Sequence, residues 1–363
     1  MVAAVRRCLG VLACAVLASA CDPAFLSLDP TTAPPTAPST PTFTFAGRVV
    51  TTQNGSAAVA GATVTVGSTT TTTDGSGAFS VLLGTAAAPV VVSAAGHLTR
   101  TTTVAGNANR GSTIDLISTA APFDLDFFDR FARGKDQAGV FPDFVIRWPS
   151  NPNFYVITKY TVQDAAGNFV SSETDVPADT VNRIVSLLPG LVSAVTGNRI
   201  QAGTIQTRPD ARPVASLESG FIQIEVANRS AGSAADLCGF GGVSIALQGS
   251  NEVVRTGFAR IYNASNCGCG GVLPANIIIA HEVGHALGFG HTQPYRDSVM
   301  SYDTDLSCAT TTYSARDQYH GAIAYTRPLG NTTPDNDPDG FQLQRASPGR
   351  LRRMEYACQM PGR

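Results

Sequence analysis

The sequence predicts an α+β protein in two parts: a small all-β sandwich over 44–118, then a larger domain over 119–363 built from a mixed sheet and helices. Three observations carry that prediction. The first part holds Val- and Thr-rich runs separated by turn dipeptides, with no helical period. The second part mixes strand-like runs with apolar residues three or four positions apart. Within it, His281-Glu282-Val283-Gly284-His285 places two histidines at helical spacing.

A chain of 363 residues has room for two domains, and its apolar fraction of 43% is that of a folded soluble protein. With 25 basic and 27 acidic residues the formal charge is −2, which gives no strong field for capturing nucleic acid, so no nucleic-acid partner is expected. At the N-terminus, Arg6 and Arg7 precede an apolar run from Leu9 to Val16 that is too short to span a bilayer. Residues 1–21 therefore read as a secretory signal, and the chain is expected to be exported. Leu17-Ala18-Ser19-Ala20-Cys21 resembles a bacterial lipobox, with Ala18 in place of the usual leucine. That resemblance implies a lipidated Cys21 and attachment to the cell envelope; an ordinary cleavage would release a freely secreted chain. Residues 22–43, with Pro30, Pro34, Pro35, Pro38 and Pro41, read as an extended tether.

In the first domain, Ala62-Thr63-Val64-Thr65-Val66 and Val90-Val91-Val92 read as strands, and Asn54-Gly55 and Asp74-Gly75 as turns. The order Gly47-Arg48-Val49-Val50, Gly61-Ala62-Thr63-Val64, Thr73-Asp74-Gly75-Ser76-Gly77-Ala78-Phe79 resembles the carboxypeptidase regulatory-like domain. The resemblance implies a transthyretin-like accessory sandwich without catalytic groups, acting as a spacer or docking module. His97 is its only histidine and is expected to be structural. In the second domain, strands are expected at 144–148, 154–162, 221–226, 243–247 and 258–262. Asp175-Val176-Pro177 opens a helix carrying Val181, Ile184, Val185, Leu188, Leu191, Val192 and Val195 on one face, with Pro189 expected to kink it. Beyond Cys21 stand Cys238, Cys267, Cys269, Cys308 and Cys358. Cys267 and Cys269 are poorly placed to bond each other, so each is expected to pair with a distant cysteine, and an odd count leaves one thiol over. No CxxC pair offers a cysteine zinc site.

Pro274 and the apolar run Ile277-Ile278-Ile279-Ala280 start a helix that continues through His281, Glu282 and His285. Residues four apart share a helix face, so His281 and His285 can offer ring nitrogens to one metal with Glu282 beside them. Gly288 lets the backbone leave the helix, and His291 can return as a third ligand. His281-Glu282-Val283-Gly284-His285-Ala286-Leu287-Gly288-Phe289-Gly290-His291 is the extended zinc-binding pattern, and the chain resembles the metzincin peptidases in it. Ser298-Val299-Met300-Ser301-Tyr302 resembles their Met-turn, and the likeness is closest to the matrixins, with astacin- and serralysin-like features.

The resemblance implies Zn2+ held by His281, His285 and His291, a Met300 that packs beneath the ligands, and Glu282 as general base and then acid in peptide hydrolysis. Tyr302 either stabilises charge on the substrate carbonyl, as in the astacin and serralysin branches, or only packs. The implied substrate is a protein or peptide lying extended along an edge strand at 243–247. Ser314-Ala315-Arg316-Asp317 opens a further helix through His320, which is expected to be structural. Asp335, Asp337, Asp339 and Gly340 resemble the start of a Ca2+ loop, but Ala346 stands where its glutamate would be, so a solvated acidic turn is expected. Two other readings remain open: a surface binding or adhesion protein with the same fold and no turnover, and a zinc hydrolase of non-peptide bonds.

Overall fold

The computed structural model describes residues 43–52, 57–83, 87–104, 111–135, 143–164, 168–228, 237–248, 251–338 and 352–359. Positions 246–248, 251–253 and 352–359 are described through their backbone. The expected signal over 1–21 with Cys21, and the expected turn at Asn54-Gly55, lie outside these residues. Pro41–Arg363 forms one compact unit. No helix among the described residues is long and apolar enough to cross a membrane.

The first strands, β1 (Phe43–Thr51), β2 (Thr63–Val66), β3 (Thr69–Thr72), β4 (Ala78–Leu83), β5 (Ala88–Ser93), β6 (Arg100–Val104) and β7 (Gly111–Leu116), fall into two sheets, β4-β1-β7 and β6-β5-β2-β3. Alternation explains them. Val64 and Val66 of β2, Phe79, Val81 and Leu83 of β4, and Val90 and Val92 of β5 bury every second side chain in one apolar cluster shared by both sheets. The Asp74 turn is closed by its own carboxylate, which accepts from the Ser76 and Ala78 amides at 2.8 and 2.9 Å.

The second part opens with α1 (Leu125–Arg133), which the sequence reading missed although its signals are present. Asp124 caps its first turn by accepting from the Phe127 amide, and Gly134 ends it at φ 67°. There follow β8 (Asn153–Ile157), β9 (Lys159–Gln163), β10 (Phe169–Asp175), α2 (Ala178–Val195), β11 (Ile205–Arg208), β12 (Phe221–Ala227), β13 (Leu237–Gln248), β14 (Asn251–Tyr262), α3 (Asn276–Ala286), α4 (Ala315–Ala324), β15 (Asp335–Asn336) and β16 (Arg352–Gln359). The fold is mixed α+β, as expected. β8, β11, β12 and β14 run parallel, while β13 joins β14 antiparallel. α2 is continuous through Pro189 and buries Val181, Ile184, Leu188, Leu191, Val192 and Val195.

Several expectations are corrected. Residues 144–148 form no strand: Phe144 makes one bridge to Thr332, and Val145, Ile146 and Trp148 enter the core as irregular chain. The expected strand at 154–162 divides at Thr158 into β8 and β9. The strand at 243–247 is part of the longer β13 and is not an edge, because β16 pairs along its outer side. Asp335 and Asp337 are no solvated turn. Both are buried: Arg327 Nε donates to both oxygens of Asp335 at 2.9 and 3.1 Å, and Arg100 holds Asp337 at 2.8 Å. Asn331 Nδ2 donates to both residues, at 2.9 and 2.7 Å, so their oxygens are already engaged by protein donors and do not form a Ca2+ ligand set. Asp339, Gly340 and Ala346 lie outside the described residues.

β15 adds to the sandwich beside β6, in parallel, and Arg327 also bonds Asp115 of β7. The sandwich is therefore completed by Arg327 and β15, which lie far downstream of its last strand, and is not a free-standing spacer.

Candidate metal centre

α3 is apolar on nearly every side, and each residue from Ile277 to Ala286 is buried. It packs against β13 and β14, and Arg183 of α2 ties its start by donating to Asn276 Oδ1 at 2.6 Å and Leu273 O at 3.2 Å. Its end is held by Trp148, whose indole donates to the Ala286 carbonyl at 2.9 Å. Gly288 then turns the chain at φ 98°, a conformation that favours glycine. Phe289 stacks on Phe131 of α1 with ring centroids 4.3 Å apart, and the Gly290 amide donates to Phe131 O at 2.8 Å. α1 thus guides the returning segment that carries His291.

His281, His285 and His291 come together, all buried, with candidate ligand atoms within 4.8 Å of one another. His285 Nε2 lies 3.0 Å from Nε2 of His281 and 3.0 Å from Nε2 of His291. On the other side of two rings, Nδ1 of His281 donates to Val299 O at 2.7 Å and Nδ1 of His285 to Phe289 O at 2.8 Å. A carbonyl can only accept, so these rings carry their proton on Nδ1 and face each other with Nε2 lone pairs. Two acceptors 3.0 Å apart cannot bond each other, whereas a cation between them satisfies both. Tetrahedral zinc with bonds of about 2.0–2.1 Å sets ligand nitrogens about 3.3 Å apart, so the donor set fits. Burial also favours the neutral, ligating form: it lowers His281 to about 4 and holds His285 and His291 well below the ordinary histidine value. This buried three-histidine group can bind a metal ion.

Glu282 follows His281 on the same helix and is fully buried against β13. Its space is made by missing side chains. A Cβ at Gly239 would lie 2.0 Å from Glu282 Oε1, and one at Gly241 would lie 3.0 Å from Oε2. Met300 is buried against α3, with its sulfur 2.4 Å from where a Cβ on Gly284 would fall. The Met300 carbonyl accepts from the Thr292 amide at 3.2 Å, joining this turn to the segment after His291. Tyr302 packs on His291 with ring centroids 3.9 Å apart.

The support behind Val299 comes from α4. Asp317 closes a capping box with Ser314 and also accepts from Ser298 Oγ and from the Val299 amide at 2.9 Å. Burial pushes the Asp317 carboxyl up, against hydrogen bonds that favour its charge. One carboxylate thereby sets the carbonyl that orients His281. The sequence signalled Asp317 as a cap but not as a support for the metal centre. Gly239, Gly241 and Phe131 were not singled out, because the partners that give them meaning are distant in the chain.

Both disulfides close around the start of α3. Cys238 of β13 bonds Cys267, and Cys269 bonds Cys308, so Cys267 and Cys269 each take a distant partner. Among the described residues His320 lies apart from the metal centre, in the core beneath α1. No family model and no curated protein matches this chain.

Proposed function

We propose that this chain is a zinc-dependent endopeptidase of the metzincin type, in which His281, His285 and His291 hold the metal and Glu282 moves the proton. The observation that carries the reading is the convergence of three buried imidazole Nε2 atoms beside a buried glutamate, with two of the rings oriented by backbone carbonyls. The mixed sheet packed on the helix that carries the motif supports it, as does Met300 packed against Gly284 of that helix. The sandwich over 44–118 is read with it as a transthyretin-like accessory domain, and Cys21 as a lipid attachment point on an exported chain.

Zinc held by three imidazoles supplies Lewis acidity, acidifying water and polarising a carbonyl. Glu282 takes the proton from the attacking water and returns it to the departing amine, so one carboxylate serves both halves of the hydrolysis. Its buried position beside β13 keeps bulk water from competing for that proton. The Nδ1 bonds of His281 and His285 fix their tautomers and hold the Nε2 atoms ready. The Tyr302 hydroxyl is proposed to stabilise negative charge on the substrate oxygen.

The test compares the parent with Glu282→Ala, His285→Ala and Tyr302→Phe, measuring zinc content and cleavage of a denatured protein together. Glu282→Ala is expected to keep zinc and lose at least about 10²-fold in rate. His285→Ala is expected to lose zinc and activity together. Tyr302→Phe is expected to keep zinc and lose on the order of 10²-fold; a parental rate would make Tyr302 a packing residue. A zinc-loaded parent that cleaves no peptide would refute the peptidase reading and leave a binding protein.

A further inference from the structure

β13 has two sides. β14 pairs with one from Gly239 to Gln248, and β16 pairs with the other, antiparallel, from Leu237 opposite Gln359 to Ile245 opposite Arg352. β16 ends the sheet among the described strands, and it also approaches α3. The β13 residues that abut the Glu282 carboxylate are Gly239 and Gly241, and their partners on β16 are Cys358 and Tyr356. Adjacent strands lie about 4.8 Å apart, so the backbone of 356–358 runs one strand spacing beyond the stretch that meets Glu282. A peptide that joined β13 to present its backbone to Glu282 would need this same edge.

We propose that residues 352–359 are an intrachain occupant of the outer edge of β13, the edge along which the peptidase reading lays its substrate, and that external peptides must displace them. The effect on turnover rests on the peptidase reading of the metal centre; the binding does not. β16 follows β15 after the 15 residues 337–351, so it competes intramolecularly. Short connections of this kind give effective concentrations of about millimolar, enough to exclude a dilute external strand while still yielding to a better one. The strand is bonded along one edge only, so its exchange breaks a single ladder.

The experiment uses the full zinc-loaded chain carrying Glu282→Ala, so that a probe survives, with and without Glu355→Pro and Tyr356→Pro. Alternate residues bond in an antiparallel pair, so two consecutive prolines remove a ladder N–H whichever residue carries it. The probe is a fluorescent peptide of sequence 350–360 with serine at 358, read by anisotropy, alongside amide exchange of 239–243. The proline chain is expected to bind the probe at least tenfold more tightly and to exchange those amides faster. Equal affinity in both chains, or no binding by the proline chain, would overturn the proposal. Zinc content and fluorescence of Trp148, the only tryptophan, report whether the proline chain is folded. Should it not fold, a chain with a specific protease site inserted between 341 and 350 is folded first, then nicked, and exchange of its released strand for the probe is read in the same way. With Glu282 restored, probe binding without cleavage of any peptide supports this proposal and refutes the peptidase reading.

Discussion

His320 shows how a residue that reads as ordinary in sequence acquires a pH-dependent role from its surroundings. Its Nδ1 donates to Arg316 O at 2.9 Å and its Nε2 accepts from the Asp124 amide at 3.0 Å, while its ring lies 4.6 Å from that of Phe127. Protonation would require breaking the bond that holds the start of α1, and burial lowers its pKa to about 4. The unfolded chain binds that proton near pH 6.5. Stability from His320 is therefore full above about pH 6.5, falls as pH drops from there toward 4, and changes no further below 4. Urea unfolding of metal-free protein at pH 8 and pH 4.5 is expected to show this loss in the parent and a smaller one in His320→Gln. An equal loss in both would assign the acid sensitivity elsewhere. At this scale the sequence exposed His281, Glu282 and His285 because helical spacing puts them side by side, whereas Asp317, Gly239 and Gly241 become meaningful only through contacts across the fold.

Among the elements, α3 carries two of the three clustered histidines but is positioned by others. Its start is tied by Arg183 of α2 and lies between the two disulfides, and the Ile277 amide reaches Cys308 O at 3.4 Å. Cys269–Cys308 joins the segment before α3 to the segment beyond Met300 across 39 residues, so it links both sides of the metal centre. Replacing both cysteines by serine is expected to cost about 2–4 kcal/mol of stability and to weaken zinc binding, measured by urea unfolding and by competition with a chelator. Unchanged zinc affinity would make this bond a brace for the chain alone. Hydrophobic period revealed α2 and the capping signature revealed α4. α1 was legible from Asp124 and Gly134 but was missed, and residues 144–148 misled because an apolar run reads alike for a strand and for buried irregular chain.

Across the whole molecule, the sandwich and the larger domain meet through buried charge. Arg327 bonds Asp335 and Asp115, Arg100 bonds Asp115 and Asp337, and Arg133 bonds Asp129 and Asn331. Burial raises the Asp115 carboxyl, but Arg327 and Arg100 outweigh it and hold the group well below the usual carboxylate range. Removing one member leaves uncompensated charge in the interior, so Arg327→Ala is expected to lose about 3–5 kcal/mol. The parent is expected to unfold in a single transition, with Trp148 fluorescence and amide exchange at Val64, Val90 and Val92 changing at one urea concentration. Melting of the sandwich ahead of Trp148 in the parent would show that the network does not couple the two parts.

What the sequence determined by itself is what depends on local spacing. The histidine triad, the glutamate beside it, the turn at Gly288, the capping box before α4 and the alternating strands all follow from helix and strand periods or from φ preferences that neighbouring residues carry. The tertiary structure decided what depends on distant partners. Residues that read as an acidic turn became buried partners of Arg100 and Arg327, an expected spacer became part of one compact unit, and the expected edge strand received β16. The physical reason is common to all three. A charge or a strand edge has no preferred partner within a few residues, so burial and pairing are settled only when the folded chain brings separate segments to within hydrogen-bonding distance.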